Sequence, residues 1–133
     1  MFDGVDHIAI VVHDIDEALP YFRDRLLLQV VGEENLPEAG VRVVYLDVGN
    51  TLLQLVEPTV DGPLRTFLEE RGEGLHHVCF AVSEIAAVVD QFESERDARV
   101  VMGGFGRPAC FLRQRPSGLI IELTESEPGE TKP

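Results

Sequence analysis

Two short apolar runs carry nearly the same pattern of hydrophobic and polar positions: His7-Ile8-Ala9-Ile10-Val11-Val12 and His77-Val78-Cys79-Phe80-Ala81-Val82. Sliding the chain on itself by 70 residues superimposes them, and further along brings Ile15 over Ile85 and Phe22 over Phe92. Towards the end of each half the offset becomes 68, which lays Leu52-Leu53-Gln54-Leu55 over Ile120-Ile121-Glu122-Leu123. The loss of two residues from one loop accounts for the slip. Self-similarity at a fixed offset is the mark of a duplicated structural unit.

Each copy reads as β-α-β-β-β. The run His7 to Val12 has the β-branched, apolar character of a strand. Asp14, followed three residues later by Glu17, resembles a capping box and predicts a helix over Ile15 to Leu28. Pro20 falls inside that helix, where its missing N–H and its ring cost about 3 kcal/mol of intrinsic propensity, so a kink is expected in the first two turns. After Gly32 the chain predicts a loop, then strands near Val41 to Val48 and Thr51 to Val56 around a Gly49-Asn50 turn. The second copy predicts a strand over His77 to Val82, Ser83 as a cap and a helix over Glu84 to Arg96. Strands near Arg99 to Met102, Ala109 to Arg113 and Leu119 to Thr124 follow. Between the copies, EPTVDGP reads as a linker, and LRTFLEERG as a short helix with Leu64, Phe67 and Leu68 on one face. The expected fold class is α+β in one domain. Its modules lie at about 4–57 and 73–125, with a linker helix at about 58–72 and a flexible acidic tail at 126–133.

Four polar residues interrupt the apolar strands, and burying one without a partner costs roughly 1–3 kcal/mol. His7 and Gln54 are 47 residues apart, His77 and Glu122 are 45 apart, and the two pairs occupy equivalent places in the repeat. Packing two similar units about a pseudo-twofold axis brings such positions to one cavity. They would supply two imidazoles, an amide oxygen and a carboxylate, a donor set for a divalent ion that leaves two octahedral positions open. Taken singly, each has a plainer reading: a structural or surface histidine, or a glutamine facing solvent on a half-exposed strand. The coincidence of four favours the metal. Neighbours in a strand face opposite ways, so His76 and His77 cannot both line that cavity. His76 lies over Asp6 and reads as a bystander at the strand's entrance, as does His13 at the first strand's exit.

Composition narrows the setting. A chain of 133 residues with 44% hydrophobic content can bury one core. It has no apolar stretch approaching the ~20 residues of a membrane span, and MFDGVDH lacks a signal core, so a cytoplasmic location is expected. Cys79 and Cys110 form no CxxC and sit in apolar runs, which predicts buried free thiols. The formal charge of −13 repels nucleic acid, and an anionic ligand would need local arginines.

With these residues in view, the sequence resembles the vicinal oxygen chelate superfamily, whose members pair β-α-β-β-β modules into a curved mixed sheet around a metal. Within it, DHIAIVV, LPEAGVRVVYLDVGNTLLQLVEP, FLEERGEGLHHVCFAV and GLIIEL resemble the methylmalonyl-CoA epimerase branch. The resemblance covers nearly the whole chain. It implies metal ligands at His7, Gln54, His77 and Glu122, with Co2+ first among candidate ions and Zn2+, Mn2+ or Ni2+ as alternatives. It also implies a catalytic acid/base at Glu38, which from the residues alone would read as a solvated glutamate in GEENLPEAG. Glu122 would be the second acid/base. The implied reaction is a 1,1-proton transfer at the α-carbon of methylmalonyl-CoA or a related 2-branched malonyl thioester; exposed module edges, which invite pairing, make a homodimer the expected assembly.

GGFGRPACFLRQRPSGLIIEL departs from the branch in a shorter loop carrying Arg113 and Arg115. These arginines fit either a solvated hairpin or a patch for CoA phosphates or a substrate carboxylate. Arg113 is assigned to the hairpin and Arg115 is kept as a substrate-binding candidate. A glyoxalase I-like activity and a small-molecule binding or antibiotic-sequestering protein of the same fold are the competing functions. Retention of all four ligand positions counts against the binding protein, and the PEAGV glutamate favours the epimerase.

Overall fold

A computed structural model describes residues 2–126, so all but the first residue of the expected acidic tail lies outside the described residues. The elements are β1 (Phe2–Val11), α1 (Ile15–Leu19), β2 (Gln29–Leu36), β3 (Val41–Asp47), β4 (Leu52–Pro58) and α2 (Pro63–Arg71). They continue as β5 (Gly74–Val82), α3 (Ile85–Val89), β6 (Val101–Met102), β7 (Pro108–Phe111) and β8 (Ile121–Glu125). The repeated β-α-β-β-β order is therefore present in both halves. The chain divides into two compact units, one spanning Ile8–His76 and the other taking the start of the chain through His7 together with the chain from His77 onward.

In the Ile8–His76 unit the strand order is β2-β3-β4 and then the second half of β1, with β2, β3 and β4 antiparallel. β3 is buried on both faces. Val44 and Leu46 pack with Val12, Ile15, Leu19 and Leu55, while Val43 and Tyr45 pack with Ala9 and Val56. Asp14 caps α1 as expected, its Oδ1 accepting from the N–H groups of Asp16 (2.8 Å) and Glu17 (3.3 Å). The predicted long helix is instead five α residues followed by a π-helical stretch, Pro20–Arg25. Proline has no N–H to give the carbonyl four residues back, and the chain widens to bonds such as Leu26 N–H to Tyr21 O at 2.9 Å. The helix ends there, short of Leu28.

The loop expected after Gly32 is corrected to β2. Its residues alternate between exposed and half-buried, with Glu33 on the exposed side and Glu34 on the half-buried side of an edge strand, so the acidic pair that suggests a loop is carried by a strand. A tight turn follows, Ala39 N–H donating to Leu36 O (3.1 Å) and Gly40 N–H to Pro37 O (3.2 Å). Gly40 has φ +69° and a Cβ there would run into Val60, so glycine is required on two counts. The linker helix α2 starts with Pro63 and buries Leu68, with Leu64 and Phe67 half-buried.

In the second unit the order is the first half of β1, then β5-β8-β7-β6, a mixed arrangement in which β5 and β8 are parallel and β7 is antiparallel to β8 and β6. Val82, Ile85, Val88, Val89, Cys110 and Leu123 form its core. The helix expected over Glu84 to Arg96 stops at Val89 and resumes as one 3-10 turn at Glu93–Glu95. Ser83 does not cap it; its hydroxyl contacts Asp3 Oδ2 at 3.3 Å. Both cysteines are free and buried. No helix among the described residues is long and apolar enough to cross a membrane.

Candidate active site

Strand pairing in the second unit sets Cys79 opposite Glu122 across β5 and β8, and Phe111 opposite Glu122 across β7 and β8. Two-residue alternation puts His77 on the same face as Cys79, so His77, Glu122 and Phe111 share one side of the sheet. The rings of His77 and Phe111 meet edge to face at 5.1 Å. His7, from β1, joins them. Its Nε2 lies 3.2 Å from Glu122 Oε1 and 3.3 Å from His77 Nε2, and His77 Nε2 lies 3.0 Å from the same Oε1. Both histidines are about 5% exposed, so this is a largely buried, three-atom polar cluster.

The triangle fits a cation. Two ligands held ~2.1 Å from one ion at a right angle stand ~3.0 Å apart, which is the scale of all three separations. Two imidazole nitrogens and a carboxylate oxygen also form a donor set suited to a divalent transition ion. Without an ion the cluster shares protons. Burial opposes charge on His7, but hydrogen bonds to Asp6 and Glu122 outweigh it and raise its pKa to about 8. Burial also opposes charge on Glu122, and hydrogen bonds from His7 and His77 overcome it, holding the carboxyl at about 2.

Of the expected site residues, His7, His77 and Glu122 are brought together. Gln54 belongs to the Ile8–His76 unit, buried on β4 and directly opposite Tyr45 of β3, whose hydroxyl takes a hydrogen bond from its Nε2 at 3.1 Å. Glu38 stands exposed in the turn between β2 and β3. Arg115 is exposed ahead of a 3-10 turn at Pro116–Gly118. Arg113 is exposed too, reaching Asp97 at 3.6 Å. His76 packs edge-on against Phe67 of α2 at 4.7 Å between ring centres, consistent with a bystander.

Two residues escape the sequence reading. Asp6 is buried, with Oδ2 2.8 Å from His7 Nδ1, and Arg107 donates to Asp6 Oδ1 at 3.0 Å. Asp6 carries the signal used for the other four, a polar residue in an apolar strand, but its repeat counterpart is His76 and so the duplication does not select it. Arg107 lies beside GGFG, in a segment without periodicity, and nothing in its neighbourhood marks it.

A family model described as the Glyoxalase/Bleomycin resistance protein/Dioxygenase superfamily matches residues 6–111. The mitochondrial methylmalonyl-CoA epimerase of Mus musculus is 33% identical, over 92% of this chain and 72% of its own length. The ethylmalonyl-CoA/methylmalonyl-CoA epimerase of Cereibacter sphaeroides is 32% identical, over 94% of this chain and 99% of its own. Among solved structures, a methylmalonyl-CoA epimerase in complex with methylmalonyl-CoA and NH4+ aligns with a TM-score of 0.85 at 29% identity, covering 98% of this chain and 99% of that one.

Proposed function

Because the chain belongs to the Glyoxalase/Bleomycin resistance protein/Dioxygenase superfamily, we propose that it is a metal-dependent epimerase of methylmalonyl-CoA or a related 2-branched malonyl thioester, working by 1,1-proton transfer. The observation that carries the reading is the buried triangle of His7 Nε2, His77 Nε2 and Glu122 Oε1, with sides of 3.0 to 3.3 Å. The names of the relatives support the substrate.

His7, His77, Glu122 and Gln54 would hold the divalent ion. When bound, such an ion supplies positive charge where negative charge develops on the thioester and carboxylate oxygens. Inversion needs one group on each side of the α-carbon. Glu38 is assigned to one face and Glu122 to the other, each taking the proton in one direction and returning it in the reverse. Because both histidines approach Oε1, the proton transfer by Glu122 is assigned to its second oxygen. Phe111, edge-on to His77, flanks that side of the cluster. Arg115 is the proposed contact for a CoA phosphate or the substrate carboxylate. β2 and β6 end the strand orders of their units and offer open edges, which supports a homodimer, testable by light scattering.

The test is metal analysis of the purified protein together with NMR of methylmalonyl-CoA in D2O. Metal-dependent loss of the α-proton signal is expected. Bound metal without exchange would move the activity to glyoxalase substrates, and no bound metal would favour a binding protein. Glu38→Gln should abolish exchange on one face while bound metal stays at the wild-type level; undiminished turnover would remove Glu38 from the mechanism.

A further inference from the structure

Arg107, Asp6 and His7 form a chain of contacts that runs from the segment before β7 to β1: 3.0 Å from Arg107 Nη2 to Asp6 Oδ1, then 2.8 Å from Asp6 Oδ2 to His7 Nδ1. All three side chains are close to fully buried, at 12%, 10% and 7% exposure. The ionised carboxylates of Asp6 and Glu122 both only accept hydrogen bonds; Asp6 lies closer to its ring nitrogen (2.8 against 3.2 Å) and Glu122 Oε1 is shared with His77, so a neutral His7 ring keeps its proton on Nδ1. In a neutral ring that leaves the lone pair on Nε2, the atom aimed at His77 and Glu122. We propose that Asp6 and Arg107 are positioning residues that lock His7 in the Nδ1–H tautomer and so present Nε2 as a ligand.

The alternative use of this cluster, an ion held by Asp6, His7 Nδ1 and Cys79, fits worse. Both Asp6 oxygens are engaged, one of them by a cation. The duplication also breaks at this place. The counterpart of Asp6 is His76, whose ring meets Phe67 edge-on, so the carboxylate beside the histidine is not repeated in the second copy. One histidine thus works as a pre-set ligand, held by a carboxylate that is itself held by an arginine 101 residues away. Arg107 further lies 5.9 Å from the centre of the Phe105 ring, which ties the guanidinium to its own loop.

The geometry stands by itself; its consequence for metal rests on the function proposed above, and the experiment separates the two. Ring 15N–1H correlation spectra of the chelator-treated protein, recorded at pH 9.5 so that the ring is neutral, should show His7 as the Nδ1–H tautomer. Asp6→Ala should shift it towards a tautomer mixture, with Asp6→Glu restoring part of the wild-type signature. Co2+ titrations followed by visible absorption should show affinity about 10- to 100-fold weaker in Asp6→Ala and Arg107→Met, with Arg107→Lys recovering part of the loss. If Asp6→Ala does not fold, Arg107→Met and Asp6→Asn carry the measurement. An unchanged His7 tautomer in the variants, or Co2+ affinity within twofold of wild type in all of them, overturns the proposal. Wild-type protein that shows the Nδ1–H tautomer yet binds no Co2+ upholds the positioning and instead sinks the metal-dependent function.

Discussion

At the scale of single residues, the candidate site couples protons to stability and, under the proposed function, to metal. His7 is raised from 6.5 to about 8 in the folded protein, so its contribution is fully present below pH 6.5 and is lost as pH rises through 8. Glu122 is depressed from 4.5 to about 2, so its contribution is present above pH 4.5 and disappears as pH falls through 2. The metal-free protein should therefore be less stable at pH 9 than at pH 6, by about 2 kcal/mol for the His7 shift, and His7→Gln should flatten that slope. Chemical unfolding at the two pH values measures it. Metal affinity should move the opposite way, tightening as pH rises, because a ligand histidine must give up its second proton. Calorimetry in buffers of different ionisation enthalpy should detect proton release on Co2+ binding at pH 7.

At the scale of elements, two buried devices hold the loops around the proposed chemistry. Gly40 closes the turn that carries Glu38. Gly40→Ala meets both a positive φ and the Val60 side chain, and should cost roughly 1–3 kcal/mol for the backbone strain alone. In urea unfolding, Val60→Ala combined with it should recover the collision part and leave the strain part. Glu95 is the second device. Only 2% exposed, it accepts the N–H groups of Arg113 (2.6 Å) and Gln114 (3.0 Å) and so fixes the segment leading to Arg115. Glu95→Ala leaves two donors without that acceptor and should cost about 2 kcal/mol. Amide hydrogen exchange should accelerate at Arg113 and Gln114 before it does in β5 or β8.

For the whole molecule, the net charge of −13 opposes the approach of a polyanionic CoA ester. If this long-range field governs encounter, kcat/KM for the proposed substrate rises with ionic strength up to physiological salt, where the screening length is ~8 Å. A fall with salt would instead show that Arg113 and Arg115 dominate locally. The repeat itself was legible because duplication writes burial into the sequence twice: an apolar period that recurs after 70 residues identifies His7 with His77, and the near-equal spacing points on to Gln54 and Glu122. The same reading loses β2, because an edge strand can carry Glu33 and Glu34 on a polar run that looks like a loop. It also overextends α1, because Pro20 converts rather than merely bends the helix. The chain alone thus determined the duplicated plan, short of β2, and singled out His7, His77 and Glu122, since both follow from a pattern of apolar and polar positions written twice. Only tertiary structure decided that Asp6 and Arg107 support His7, and that the two histidines meet at one oxygen of Glu122. Those contacts depend on which strands pair, in which register, between residues up to 101 positions apart.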